Sequence, residues 1–91
     1  MNYSGLLVSC KPGRFSEMLQ ALSEMDNVEV HHEQEESGRC IVVLECSSVA
    51  AEVDEFKAIS ELPSVMDVAL IVHHFDEEAH IKSMVGTDPL N

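Results

Sequence analysis

Basic residues are scarce in this sequence: 5 Lys and Arg stand against 17 Asp and Glu, for a formal charge of -12. Nucleic-acid affinity comes mainly from Lys and Arg that neutralise phosphates, so this partner class is excluded. An acidic surface keeps a protein soluble and steers basic partners toward it. Cysteine is sparse as well. Cys10, Cys40 and Cys46 are odd in number, form no CxxC, and lie in apolar runs. They read as reduced core residues, not as a disulfide framework or a thiol redox centre. Long hydrophobic runs are missing too. The stretch after Met1-Asn2-Tyr3-Ser4-Gly5 is far too short for a secretory signal or a membrane span and has no basic segment before it. The expected location is therefore the cytoplasm, without membrane insertion. There is no phosphate-cradling glycine loop, no recognisable nucleophile or general-base constellation, and no histidine matched to a cysteine. No enzyme and no cofactor are expected.

What is present is a repeat. Ala21-Leu22-Ser23-Glu24-Met25 leads into Val28-Glu29-Val30-His31-His32, and Ala58-Ile59-Ser60-Glu61-Leu62 leads into Val68 to His74. An apolar run ending in cysteine precedes each copy, Gly5 to Cys10 and Gly38 to Cys46. Strand, helix and strand thus occur twice, which defines a split β-α-β-β-α-β domain. Nothing marks a linker, so one domain is expected over residues 1–78, with 79–91 as a flexible, acidic and then small and polar tail.

The elements follow from period and punctuation. Gly5 to Cys10 is a strand, and Lys11-Pro12-Gly13 breaks it. Phe15, Met18, Leu19, Leu22 and Met25 recur at helical spacing. Val28 to His32 alternates as a charged edge strand, and Glu33 to Glu36 with Ser37-Gly38 reads as a hairpin loop. Cys40 to Glu45 suits a central strand. Ser47-Ser48 offers an N-cap to a helix from Val49 to Glu61, stopped by Pro63, whose Val49, Val53, Phe56, Ile59 and Leu62 repeat at helical spacing. Val65 to Phe75 is the last strand.

With all strands antiparallel in the order 4-1-3-2 and both helices on one side, parity assigns two faces. Leu6, Val8, Cys10, Cys40, Val42, Leu44, Val68, Leu70, Val72, Val28 and Val30 should meet the helices. Gly5, Leu7, Ser9, Ile41, Val43, Glu45, Ala69, Ile71, His73, Glu29, His31 and Glu33 should face away. An exposed sheet face normally turns polar, yet Leu7, Ile41, Val43 and Ile71 gather at the centre of this one. An apolar stripe ringed by carboxylates suits a ligand with an apolar body and positive charges. A second copy of the chain could also cover it; a monomer is the expectation.

His31-His32, His73-His74 and His80 invite a metal reading, since imidazole suits zinc, nickel and copper. Adjacent strand residues point to opposite faces, and the strands carrying His31 and His73 lie on opposite edges, so no metal site is expected. A dimeric regulatory module of the same fold class, binding small molecules at strand-helix loops such as Lys11-Pro12-Gly13, is the alternative.

Four segments carry a family resemblance: Leu6-Leu7-Val8 with its basic-Pro-Gly turn; Asn27-Val28-Glu29-Val30; Ser37 to Glu45; and Val65 to His73. In this order, with short loops and an acidic stretch after His73, they resemble the NapD family from Ser4 to about Glu77. One departure is Val72, where related sequences often carry Tyr before the histidine. The resemblance implies an α+β, ferredoxin-like fold. It also implies a cytoplasmic chaperone that binds the twin-arginine signal peptide of the periplasmic nitrate reductase catalytic subunit and restrains export until the molybdenum cofactor is inserted. On the residues' own parity and charge, Leu7, Ile41, Val43 and Ile71 would form the apolar floor and Ser9 a nearby hydrogen-bonder. Glu45, Glu33 or Glu29 would meet the arginines, with Ala69, His73 and His31 on the same face.

Overall fold

A computed structural model describes residues 2–74. Six elements follow one another: β1 (Asn2–Cys10), α1 (Phe15–Ser23), β2 (Val28–Gln34), β3 (Arg39–Cys46), α2 (Val49–Ser60) and β4 (Val65–His74). The sheet order is β2-β3-β1-β4 with antiparallel pairing throughout. This is the 4-1-3-2 order expected from the repeat, and the fold is ferredoxin-like. Phe75, expected to close β4, and the expected tail at 79–91 lie outside the described residues.

The turns show why the elements stop where they do. Gly13 (φ 77°) and Gly38 (φ 71°) take left-handed conformations, which cost glycine nothing sterically. At Gly38 a Cβ would also stand 3.0 Å from Cys10 Sγ, so the turn packs directly on the end of β1. Ser48 Oγ accepts the Ala51 N–H at 3.1 Å and caps α2 as expected. Among the described residues Asn27 is the non-glycine residue with positive φ, 67°. Its carbonyl accepts the Glu45 N–H at 3.0 Å, which ties the turn after α1 to the end of β3.

The core lies between the sheet and the helices. Leu6, Val8, Cys40, Val42 and Leu44 meet Met18 and Leu22 of α1 and Ile59 of α2, all at most 1% exposed. Cys10, Cys40 and Cys46 are buried free thiols. Burial pushes the Cys40 thiol up to about 11, with Glu33 and Cys10 adding to the rise. Cys46 is raised by burial first, then by Glu55, Glu52 and Glu45.

Helix α2 departs from the expected stripe. Glu52 is buried at 6% exposure while Val49 and Val53 are 50% and 59% exposed. The helix is turned so that Glu52 and Ile59 face inward and Phe56 is half-buried. Ala51, Phe56 and Leu62 pack against the core beside Ile59, so the start of α2 meets the sheet through Ala51 and Glu52 and not through Val49 and Val53.

Candidate functional site

The outer sheet face has no helix over it among the described residues, and the register shows how its side chains line up. Leu7 lies between Ile41 and Ala69; Gly5 lies opposite Val43, which is opposite Glu29; Tyr3 lies opposite Glu45. Leu7, Ile41 and Val43 are half-buried by their neighbours alone, and Ala69 is exposed. Ser9, half-buried, sits between Arg39 and Asp67, which begin a polar margin. The face thus has an apolar middle and two charged ends. One end is acidic, at Glu29 and Glu45; the other is mixed, at Arg39 and Asp67.

Two β-bulges correct the parity reading. Between Val30 and His32 the register with β3 slips, so His32 stands opposite Ile41 and Glu33 opposite Cys40. Cys40 is a core residue on the helix side, so Glu33 leaves the open face, and its charge beside the Cys40 thiol agrees. His31, the extra residue, stays with Glu29: its Nε2 is 3.5 Å from Glu29 Oε1, and both side chains are largely exposed. The hairpin loop is correspondingly shorter than expected, because β2 runs on through Glu33 to Gln34. Twist at a bulge is one of the ways in which an exposed edge avoids pairing with another strand.

In β4 there are two slips, one between the partners of Ser9 and Cys10 and one, which bears on the open face, between those of Gly5 and Leu6. Leu70 is opposite Leu6, Val72 opposite Gly5 and His73 opposite Ser4. The backbone register of β4 at Val72 and His73 is thus one residue out of step with strict alternation from Leu70. Ile71 is the extra residue there and is 48% exposed. Of the expected site residues, Leu7, Ser9, Ile41, Val43, Glu45, Ala69 and Glu29 come together on one face. Ile71 and His31 sit at its bulged edges, Glu33 does not belong to it, and the His73 side chain lies outside the described residues.

Sequence reading missed Tyr3, Asp67 and Arg39. Tyr3 was lost because the first strand was begun at Gly5, whereas β1 starts at Asn2. With Asn27, Val28, Glu29, Val43 and Glu45 it lines an open hollow of about 370 Å³ at the acidic end. The Asn27–Glu45 backbone bond holds the floor of that hollow. A phenol ring beside two carboxylates can receive a planar cation, stacked on the ring and paired at its edge. A second, larger hollow of about 500 Å³ lies at the other end of the molecule, between the Pro12-Gly13 turn, Glu35 to Gly38 and Met66. Among the described residues no group of three His, Cys, Asp or Glu is placed to hold a metal ion, and no helix is long and apolar enough to cross a membrane.

Fold and face together define a ferredoxin-like domain with an uncovered apolar sheet surface that is acidic at one end and mixed at the other. The family model described as NapD protein matches residues 1–77, and the chain belongs to that family. Chaperone NapD of Haemophilus influenzae is 24% identical over 74 residues, which cover 81% of this chain and 80% of that protein. The solution structure of the E. coli Tat proofreading chaperone protein NapD superposes with a TM-score of 0.73 at 24% identity, covering 87% of this chain and 83% of that one. The structural likeness carries the fold; family membership carries a chaperone role.

Proposed function

We propose that this chain is a cytoplasmic chaperone whose open sheet face binds the twin-arginine signal peptide of the catalytic subunit of periplasmic nitrate reductase. Binding holds the peptide from the export machinery while the molybdenum cofactor is inserted. The observation that carries this reading is the order of chemistry along the face, from the Tyr3, Glu29 and Glu45 hollow to the half-buried floor of Leu7, Ile41 and Val43. A twin-arginine peptide has the same order, a basic start followed by a short apolar stretch.

The dimensions agree. Strands are about 4.8 Å apart, so four of them span about 14 Å, and an α-helix with side chains is about 10–12 Å across. A peptide helix lying along β1 and β3 would remove the floor from water at about 25 cal/mol per Å² of apolar area. Its arginines would reach Glu29 and Glu45, while Arg39 at the far end opposes the reversed orientation. Affinity then comes mainly from the floor and direction from the two ends.

Calorimetric titration with a synthetic twin-arginine signal peptide of a periplasmic nitrate reductase tests this. Saturable binding that is lost when both arginines become glutamine is the expected result; heat-silent titrations with both peptides would overturn it. The dimeric small-molecule module is kept as a second reading by the hollow beside Pro12 and Gly13. It predicts instead a chain that dimerises and is stabilised by free amino acids.

A further inference from the structure

Gly5 stands in the interior of β1, the strand that pairs with β3 on one side and with β4 on the other. Glycine weakens a strand interior, because it loses the most freedom on folding and packs no side chain against its neighbours. The backbone does not call for it at this position. Gly13 and Gly38 take positive φ, whereas Gly5 continues the extended run from Asn2 to Cys10. The β4 bulge beside it does not call for it either: the extra residue is Ile71, on the other strand, and a bulge that needs glycine needs it on the strand with the extra residue.

The place of Gly5 in the open face supplies a reason. Tyr3, Gly5, Leu7 and Ser9 share that face along β1, as Glu45, Val43, Ile41 and Arg39 do along β3. Residues two apart on a strand are about 7 Å apart, so β1 carries no side chain over about 14 Å between Tyr3 and Leu7. Val43, opposite Gly5, borders this gap on the β3 side, with Glu29 beyond it. The floor is thus notched one row in from the hollow of Tyr3, Glu29 and Glu45. A glycine inside a strand, open toward a binding face, marks a place where a ligand comes close.

We propose that Gly5 sets the register of the bound peptide: the gap above it takes one large apolar side chain of the ligand, about one helical turn beyond the arginine held in the Tyr3 hollow. This rests on the signal-peptide reading of the open face and adds a specificity-determining position to it. The spacing follows from the two geometries. About 7 Å separates the Tyr3 row from the Gly5 row, and a helix rising 1.5 Å per residue covers that distance in four or five residues. Residues four apart lie on one face of a helix, so the arginine and the apolar side chain reach the sheet together. Slid along by one row, the peptide would press its large side chain onto Leu7 and Ile41 and draw its arginine away from Glu29 and Glu45. Charge fixes the direction of the ligand; the gap fixes its position.

A double-mutant cycle between protein and peptide tests this. Each large apolar residue of a synthetic twin-arginine signal peptide is cut to alanine in turn, and every peptide is titrated by calorimetry into the unsubstituted chain and into Gly5→Val. Filling the gap should weaken the uncut peptide about tenfold, as overpacking does. One truncation, at the apolar residue about one turn after an arginine, should abolish that difference, so that the cut peptide binds both proteins equally. Truncations elsewhere should preserve it. Gly5→Ala, with a single added methyl group, should show the same pattern with smaller changes. In urea both variants should unfold at midpoints no lower than that of the unsubstituted chain, since a side chain supports a central strand. Peptide binding in which every truncation preserves the difference would overturn the proposal. A lowered midpoint in both variants would do so too, by giving the glycine a structural reason. Failure of every peptide to bind the unsubstituted chain would overturn the signal-peptide reading itself, and the register with it.

Discussion

The two faces of this sheet are lined with the same kind of side chain and differ in what covers them. On the helix side Leu6, Val8, Val42 and Leu44 are 0% exposed, sealed by Met18, Leu22 and Ile59. On the other, Leu7, Ile41 and Val43 are only half-buried, and no described residue lies above them. Alternating polarity would have been the simple solution for a one-sided sheet. The chain instead spends aliphatic residues on a face that its own helices do not reach, while Glu29 and Glu45 at the margin keep that surface in solution. Binding is the use that the proposed function gives to apolar residues that contribute little to the fold.

Substitutions should therefore separate the faces, and the sealed one gives the largest effect. Leu22→Ala is expected to cost about 2–5 kcal/mol in urea unfolding, since it opens a cavity in a closed core. Leu7→Ala, half-exposed, should cost about 1 kcal/mol or less while weakening peptide binding. Equal losses of stability at the two positions would erase the distinction.

pH gives the next contrast. The Cys40 thiol is held at about 11 in the folded chain, above its ordinary value near 9. Between those values the unfolded chain has released a proton that the folded one keeps, so unfolding becomes easier as pH rises from about 9 to about 11. Below pH 9 the contribution is fully present. The fall in urea midpoint over that window should be shallower in Cys40→Ala than in the unsubstituted chain, when each is referred to its own value at pH 7.

Smaller effects sharpen the reading of the open face itself. Ile41→Asp places a carboxylate in the apolar floor and should weaken the signal peptide at least tenfold, with circular dichroism unchanged. Glu29→Gln combined with Glu45→Gln should weaken it several-fold and flatten its salt dependence, as expected of partly exposed ion pairs. Glu33→Gln should leave affinity as it was, because the bulge has taken that side chain to the Cys40 side. A loss at Glu33 equal to that at Glu45 would mean that peptide contacts run over the β2 edge and not along β1 and β3.

The repeat, the helical spacing and the strand order were legible in the residues because each rests on a period that packing reinforces. Parity held through β1 and β3, where every second residue is buried. It failed at His31 to Glu33, and the register of β4 slips at Ile71, since a bulge moves one residue without leaving a mark in an alternating sequence. Tyr3 was hidden by a polar strand start that gave no hydrophobic signal. The exposure of Val49 and Val53 was hidden as well, because spacing shows that residues share a face and not which face the sheet receives. Charge alone could say that the surface is acidic; the register was needed to place Glu29 and Glu45 on one face.

The most direct test of the central claim is to follow the backbone amide signals of the labelled chain by NMR as the twin-arginine peptide is added. The account predicts the largest changes along β1 and β3 at Leu7, Ile41, Val43 and Glu45, together with Tyr3 and Glu29, and little change at Val49 and Val53. Changes centred on Lys11 to Gly13 or on α2, with the sheet rows unmoved, would contradict it.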